Sequence, residues 1–136
     1  MTVKKFNLKN DQIEVEFIPE LGGRISSLIN KKTGKEWVWK DPRLPTKKVV
    51  DGKNYDDNWQ GGWEELFPND AVEKFSWGYG FDHGELWFKS WELLNLSKDN
   101  ATLQIKNLES GASVIKSFSI ENNKFISKYE GDVKFK

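Results

Sequence analysis

The chain has 136 residues, no cysteine, and 21 basic side chains against 21 acidic ones, which gives a formal net charge of zero. A neutral chain has no electrostatic attraction for nucleic acid or for an anionic membrane, and we expect neither as a partner. It forms no disulfide, its longest apolar run is far short of the ~20 residues of a membrane span, and its start lacks the apolar core of a signal peptide. We therefore expect one domain, residues 1–136, in the cytoplasm.

Apolar residues at every second position predict the first strands. Ile13, Val15 and Phe17 alternate with glutamates, as in a strand that has one face in water. Trp37 and Trp39, on either side of a valine, are typical of one arm of a hairpin. The N-terminal part of the chain is therefore predicted to be β-structure.

A long segment without periodicity follows. Residues 41–62 contain two prolines and several aspartates and asparagines, and we interpret them as a loop that crosses the sheets. Loops of this length are commonly functional or disordered, and this one runs directly into a motif at residues 61–70, which favours a function. A short helical turn is expected only over residues 62–66, because Pro68 ends it.

Residues 86–94 are predicted to form one long strand. Both of its faces are apolar, since Trp87, Trp91 and Leu93 share one parity and Leu86 shares the other with a phenylalanine. A strand of this kind lies in the centre of a structure, covered on both sides. His83 directly precedes the strand and should therefore lie at the rim of a sheet.

Three further alternating runs complete the chain. They cover residues 101–105, 112–120 (interrupted by Lys116) and 125–129, and turn-forming residues separate them. Strands joined by such short turns form antiparallel meanders. The sequence thus predicts an all-β protein, an antiparallel β-sandwich of two packed layers.

Two segments, residues 61–70 and 82–87, gather the residue types of a sugar pocket. They contain paired carboxylates, a carboxamide, tryptophans and the one histidine of the chain. A pyranose places its C–H faces on indole rings and its hydroxyls on a few fixed polar groups. Trp59, Trp63 and Trp77 lie among Gly, Asn and Asp, as lining residues would, although any single tryptophan could equally belong to the core of a sandwich.

Both segments resemble the galactose mutarotase-like (aldose 1-epimerase) superfamily, and residues 13–37, with the stretch 19–25, look like the N-terminal strands of the same family. The resemblance implies a mutarotase supersandwich, of which this chain corresponds to the N-terminal half. It also implies a monosaccharide ligand and a reaction without metal or cofactor. Mutarotation opens and recloses a hemiacetal, which requires only an acid and a base.

The resemblance also implies roles for individual residues. His83 matches the first family histidine, which holds and polarises the sugar near its ring oxygen, although a loop histidine that only bonds to a turn would look the same. Glu64 and Glu65 are adjacent, so at most one should face a ligand. Asn69 and Asp70 could hold hydroxyls or could cap a turn. We expect His83, one of the two glutamates and at least one of the three tryptophans to line a single cleft, with the loop 41–62 as one wall.

Arg24, which follows two glycines, could reach this site or could be a solvated arginine at the end of a strand. The family's second histidine and its catalytic glutamate lie in a later part of longer chains, and no second histidine is present here. We therefore expect a poor mutarotase or none, and association with a second copy or with a missing C-terminal half through residues 124–135. Three functions stay open: an aldose 1-epimerase-like enzyme, a sugar-binding module without catalysis, and a structural β-sandwich subunit.

Overall fold

The computed structural model describes residues 3–51 and 53–134. Over these residues it contains ten strands and one short helix. In chain order they are β1 (Phe6–Lys9), β2 (Ile13–Ile18), β3 (Arg24–Asn30), β4 (Lys35–Glu36), α1 (Tyr55–Asn58), β5 (Lys74–Phe75), β6 (Gly78–Tyr79), β7 (Glu92–Leu96), β8 (Asn100–Ile105), β9 (Ala112–Glu121) and β10 (Lys124–Val133). No helix in the described part of the chain is long and apolar enough to cross a bilayer.

Two four-stranded sheets form the body of the molecule. One has the strand order β1-β2-β3-β4 and the other the order β10-β9-β8-β7. Every pairing within them is antiparallel, and consecutive strands are neighbours. The prediction of an all-β antiparallel fold is confirmed. β5 and β6 form a separate small hairpin.

The alternating residues of both sheets meet in one core. Val15 and Phe17 from β2 and Leu103 and Phe118 from the second sheet are fully or almost fully buried in the same cluster. The rings of Phe17 and Phe118 pack edge to face with centroids 5.3 Å apart. Burial of a side chain of this size stabilises the fold by about 1.5–3 kcal/mol. The two sheets are therefore the layers of a sandwich.

The predicted strand over residues 86–94 is wrong, because the strand in this region is Glu92–Leu96. Leu86, Trp87 and Phe88 are buried as expected, but their backbone turns. Gly22 N–H donates to the Lys89 carbonyl over 2.9 Å, which ties this turn to the end of β2. An apolar run is buried whatever its conformation, so its composition did not distinguish a strand from a packed turn.

The expected helical turn over residues 62–66 is also wrong. Trp63 forms an antiparallel bridge with Ile25 instead, and the helix of the long loop is α1, which begins after the capping residue Asn54. The ends of the loop are held together by a bridge between Lys40 and Gly61. The segment that carries the motif is therefore fixed along the edge of β3 that pairs with β4 further along the strand.

Only part of the predicted hairpin arm is a strand. β4 ends at Glu36, and Trp37 continues the pairing by donating its N–H to the Leu28 carbonyl over 2.9 Å. Trp39 lies beyond the strand and accepts a hydrogen bond from Gly62 N–H. Both indoles are exposed.

Candidate functional site

One tyrosine connects two of the predicted site residues. The ring of Tyr55, the first residue of α1, stacks on the imidazole of His83 with centroids 3.9 Å apart and planes 6° from parallel. Its hydroxyl donates to Glu64 Oε1 over 2.8 Å. Burial and the negative charge of Glu64 raise the pKa of Tyr55, so that its hydroxyl stays protonated. A single side chain thus spans the distance from His83 to Glu64.

His83 is held in a tight turn between two carboxylates. Its backbone is left-handed, with φ 60°, and its N–H donates to the Asp70 carbonyl over 2.6 Å. The ring contacts Asp82 Oδ1 through Nδ1 at 2.9 Å and Asp70 Oδ1 through Nε2 at 3.3 Å. The side chain is 24% exposed. A ligand can therefore reach the imidazole.

Asp82 joins this turn to α1. Its Oδ2 accepts a hydrogen bond from Tyr55 N–H over 2.7 Å. This bond, followed by the hydrogen bond and charge of His83, holds the pKa of Asp82 below its ordinary value. An ionised Asp82 thus fixes the position of both aromatic rings of the stack.

Glu64 is buried in an ion pair with Arg24. Arg24 Nε lies 2.7 Å from Glu64 Oε2, and the two side chains are 2% and 3% exposed. Burial raises the pKa of Glu64, and the guanidinium opposes that change. The expectation of a solvated Arg24 at the end of a strand is wrong, because its side chain is 2% exposed and packs against Gly62. Arg24 Nη1 and Nη2 are buried and make no hydrogen bond within the described residues.

Glu65 points the other way, into the second sheet. It pairs with the Nζ of Lys116, which is fully buried, and it accepts a hydrogen bond from the Tyr129 hydroxyl. Lys116 Nζ also donates to the Gly23 carbonyl over 3.0 Å and lies 5.1 Å from the centroid of the Trp91 ring. Burial lowers the pKa of Lys116, and Glu65 opposes that change. The two adjacent glutamates therefore form ion pairs with basic side chains of different sheets.

The three tryptophans occupy three different places. Trp59 stacks on Tyr55 with centroids 6.0 Å apart. Trp77 stacks on Phe75 at the β5–β6 hairpin, with centroids 4.8 Å apart. Trp63 lines a groove of about 310 Å³ to which Tyr55 and His83 do not contribute.

Asn69 holds a turn in place. Its side chain is buried, and its Nδ2 donates to the carbonyls of Ala71 over 2.9 Å and Phe81 over 2.6 Å. Phe81 and Asp82 line an open hollow of about 470 Å³ beside the Tyr55–His83 stack. Asn69 thus fixes the backbone of Phe81, which forms part of the wall of this hollow.

The structure brings Trp59, Glu64 and His83 together, because each of them contacts Tyr55. The other predicted residues, Glu65, Asn69, Trp63 and Trp77, have the separate contacts described above. Sequence analysis missed Tyr55 because it lies in the aperiodic loop. The available signal was local: Asn54 before two aspartates is a typical start of a helix. In the described part of the chain, no group of three or more histidine, aspartate or glutamate side chains is placed to hold a metal ion.

Comparisons with known proteins concern the fold of the chain. Residues 2–68 match the model of a domain of unknown function, DUF5107. No curated protein matches the chain. Its structure is similar to that of a galactose mutarotase related enzyme from Lactobacillus acidophilus, with 16% identity, a TM-score of 0.73 and coverage of 97% of this chain and 44% of that one.

Two other solved structures are similar as well. A galactose mutarotase-like protein from Lactobacillus casei has 16% identity and a TM-score of 0.67, with coverage of 93% of this chain and 43% of that one. A 4-alpha-glucanotransferase from Thermococcus litoralis has 16% identity and a TM-score of 0.59, with coverage of 98% and 25%. The chain therefore has the fold of galactose mutarotase-like proteins and spans less than half the length of the proteins it resembles.

Proposed function

We propose that this chain binds a free monosaccharide in an aldose 1-epimerase-like site in which His83 touches the sugar near its ring oxygen. The observation that most supports this is the Tyr55 side chain, which stacks on His83 and donates to Glu64. It joins residues from the two motifs that resemble the family. The solved structures of similar fold include a mutarotase-related enzyme, which favours a sugar as the ligand class.

The residues divide into those that touch the sugar and those that position them. His83 is partly exposed and Trp59 stacks on the same Tyr55 ring, so in this proposal these two side chains contact the ring of the ligand. Glu64 is buried and acts through the Tyr55 hydroxyl. It is a positioning residue, together with Arg24 and Asp82.

Catalysis needs more than these groups. Opening a hemiacetal requires a proton donor at the ring oxygen and an acceptor at the anomeric hydroxyl. Histidine is the side chain that most often serves as such an acid or base. The chain has one histidine, so we propose that it binds the sugar and catalyses mutarotation poorly on its own. Its lack of cysteine fits a reducing compartment, and the proposal sets this binding in the cytoplasm.

The proposal treats residues 1–136 as one domain that associates with a second copy or with a C-terminal half. β10 is an edge strand of ten residues whose outer side is unpaired within the described chain. Beside it lies a hollow of about 270 Å³ with mainly apolar walls, including Leu86, Val114 and Val133. Unpaired edges and exposed apolar surface favour contact with another chain. Light scattering that finds only monomers at high concentration would contradict this association.

Calorimetric titration of the chain with D-galactose and D-glucose tests the binding. We expect His83→Ala and Tyr55→Phe to weaken binding by about tenfold or more, as the loss of a hydrogen bond worth ~1.5 kcal/mol would. Tyr129→Phe is the matched control, because it removes the other tyrosine hydroxyl that donates to a glutamate, and it should bind like the unmodified chain. The proposal fails if neither sugar binds, or if His83→Ala binds as well as the unmodified chain. Polarimetry on freshly dissolved α-galactose separates a catalyst from a binding module.

A further inference from the structure

A second hollow carries the residue types of a sugar site, away from His83. This groove of about 310 Å³ lies between β3 and the β9–β10 hairpin. Its walls include three aromatic rings and three carboxamides: Trp37, Trp63, Phe125, Gln12, Asn30 and Asn123.

The backbone of β3 holds both indoles in place. Trp63 exchanges two hydrogen bonds of 2.9 Å with Ile25, and Trp37 N–H donates to the Leu28 carbonyl. Ile25 and Leu28 are three residues apart on one strand, so the two tryptophans are anchored about 10 Å apart along it. Because β3 already holds the backbone of both tryptophans, that backbone does not lose conformational entropy when a ligand binds, and this cost of binding is avoided.

The indoles are exposed although each has a neighbour. Trp37 is 59% and Trp63 is 42% exposed. Lys35 Nζ covers one side of the Trp37 ring at 3.9 Å from its centroid, and Phe125 meets Trp63 edge to face at 5.8 Å. These contacts orient the rings and leave part of each open to a ligand.

Three of the four polar side chains that line the groove are uncharged amides, and the fourth is Lys32. Asn30 Oδ1 accepts hydrogen bonds from the backbone N–H groups of Lys32 and Thr33, which fixes this carboxamide at the rim. Carboxamides offer both donors and acceptors, as hydroxyl groups require. The volume of about 310 Å³ lies at the lower end of the ~300–1,000 Å³ typical of small-ligand sites.

We propose that this groove is a second carbohydrate-binding site, for a short neutral oligosaccharide whose pyranose faces lie on Trp37 and Trp63 and whose hydroxyls meet the carboxamides. It goes beyond the monosaccharide site and does not depend on it, because Tyr55, Glu64 and His83 are not among its walls. A chain of sugar rings fits better than a single ring, since the two indoles are anchored along a strand rather than around one point.

Calorimetric titration with maltotriose, cellotriose and xylotriose tests the proposal. We expect at least one of them to bind, and we expect Trp37→Ala and Trp63→Ala each to weaken that binding by about tenfold or more. Trp39→Ala is the matched control, because Trp39 is 58% exposed but packs on Trp59 instead of lining the groove. It should leave oligosaccharide binding unchanged, and so should His83→Ala. Circular dichroism shows whether each variant is folded.

Three results would overturn the proposal. If none of the three oligosaccharides binds, or if Trp37→Ala binds as tightly as the unmodified chain, the groove is not a sugar site. If His83→Ala abolishes the binding, the oligosaccharide occupies the first site. If Trp37→Ala instead converts a dimer into a monomer in light scattering while no sugar binds, the groove is an interface between copies. Oligosaccharide binding that persists when galactose and glucose fail to bind would refute the proposed function alone.

Discussion

Replacement of Glu65 by glutamine should destabilise the fold more than replacement of its partner Lys116 by methionine. Lys116 is fully buried, so Glu65→Gln leaves an ammonium in the core without its carboxylate partner, with only neutral acceptors such as the Gly23 carbonyl and the new amide oxygen. Removal of one partner from a buried ion pair costs about 3–5 kcal/mol. Aromatic rings around the ammonium, including that of Trp91, offset part of this cost, and we expect about 3 kcal/mol.

Lys116→Met leaves a different residue. Glu65 is 18% exposed and keeps the hydrogen bond from Tyr129, so its carboxylate is still partly solvated and bonded. We expect this variant to lose about 1–2 kcal/mol. The double variant should be more stable than Glu65→Gln alone, because it has no buried charge.

Urea denaturation followed by tryptophan fluorescence measures these differences. An internal check comes from pH. Burial lowers the pKa of Lys116 below 10.5, and without Glu65 the pKa falls further. The unfolded state then binds more protons than the folded state between the lowered pKa and 10.5, so the stability of Glu65→Gln should rise with pH across that window. A loss below about 1 kcal/mol with no such rise would refute the description of Lys116 as a buried ammonium held by Glu65.

Two further predictions follow from the turn at His83. Gly84→Ala should lower the free energy of unfolding by at least about 2 kcal/mol more than Gly34→Ala does. Both glycines are left-handed (φ 74° and 71°), but only at Gly84 would a Cβ collide with the Phe67 backbone. Equal losses of stability in urea denaturation would contradict this. Asp82 has a pKa held below 3.8 in the fold, so its contribution to stability is present above pH 3.8 and is lost as pH falls through the lowered value. The stability advantage of the unmodified chain over Asp82→Asn should therefore shrink in thermal melts as pH falls below 3.8, and an advantage that stays constant down to pH 2 would contradict the assignment.

The sheets could be predicted from the sequence because period-two alternation is a direct result of strand geometry. Ile13, Val15 and Phe17 have one face in the core, and each of them is buried as the alternation requires. The prediction of a strand over residues 86–94 failed because the burial of Leu86, Trp87 and Phe88 does not come from alternation along a strand. Trp87 and Phe88 pack in a second cluster with Leu21 and Val49, whereas Leu86 packs in the main core, and alternation along a single strand does not reveal this division.

The site was predictable only as far as its motifs. The two segments supply Glu64 and His83, which both contact Tyr55, but local sequence did not show which way neighbouring side chains point. Glu64 and Glu65 bind different cations because Arg24 and Lys116 lie on opposite layers, and that arrangement depends on how the sheets pack. In the sequence, Lys116 interrupts the apolar alternation of a strand. The structure explains a lysine in the core, because the carboxylate of Glu65 pairs with it.

The order of the strands has a consequence for how the chain folds. Each sheet is built from neighbours in sequence, the first over residues 6–36 and the second over residues 92–133. Contacts between residues close in sequence form quickly, because little chain entropy is lost in closing a short loop. The intervening segment, with Tyr55, Glu64 and His83, also needs both sheets, because Glu64 pairs with Arg24 of β3 and Glu65 pairs with Lys116 of β9. We therefore expect amide protons of the two meanders to be protected early in refolding and those around His83 to be protected last.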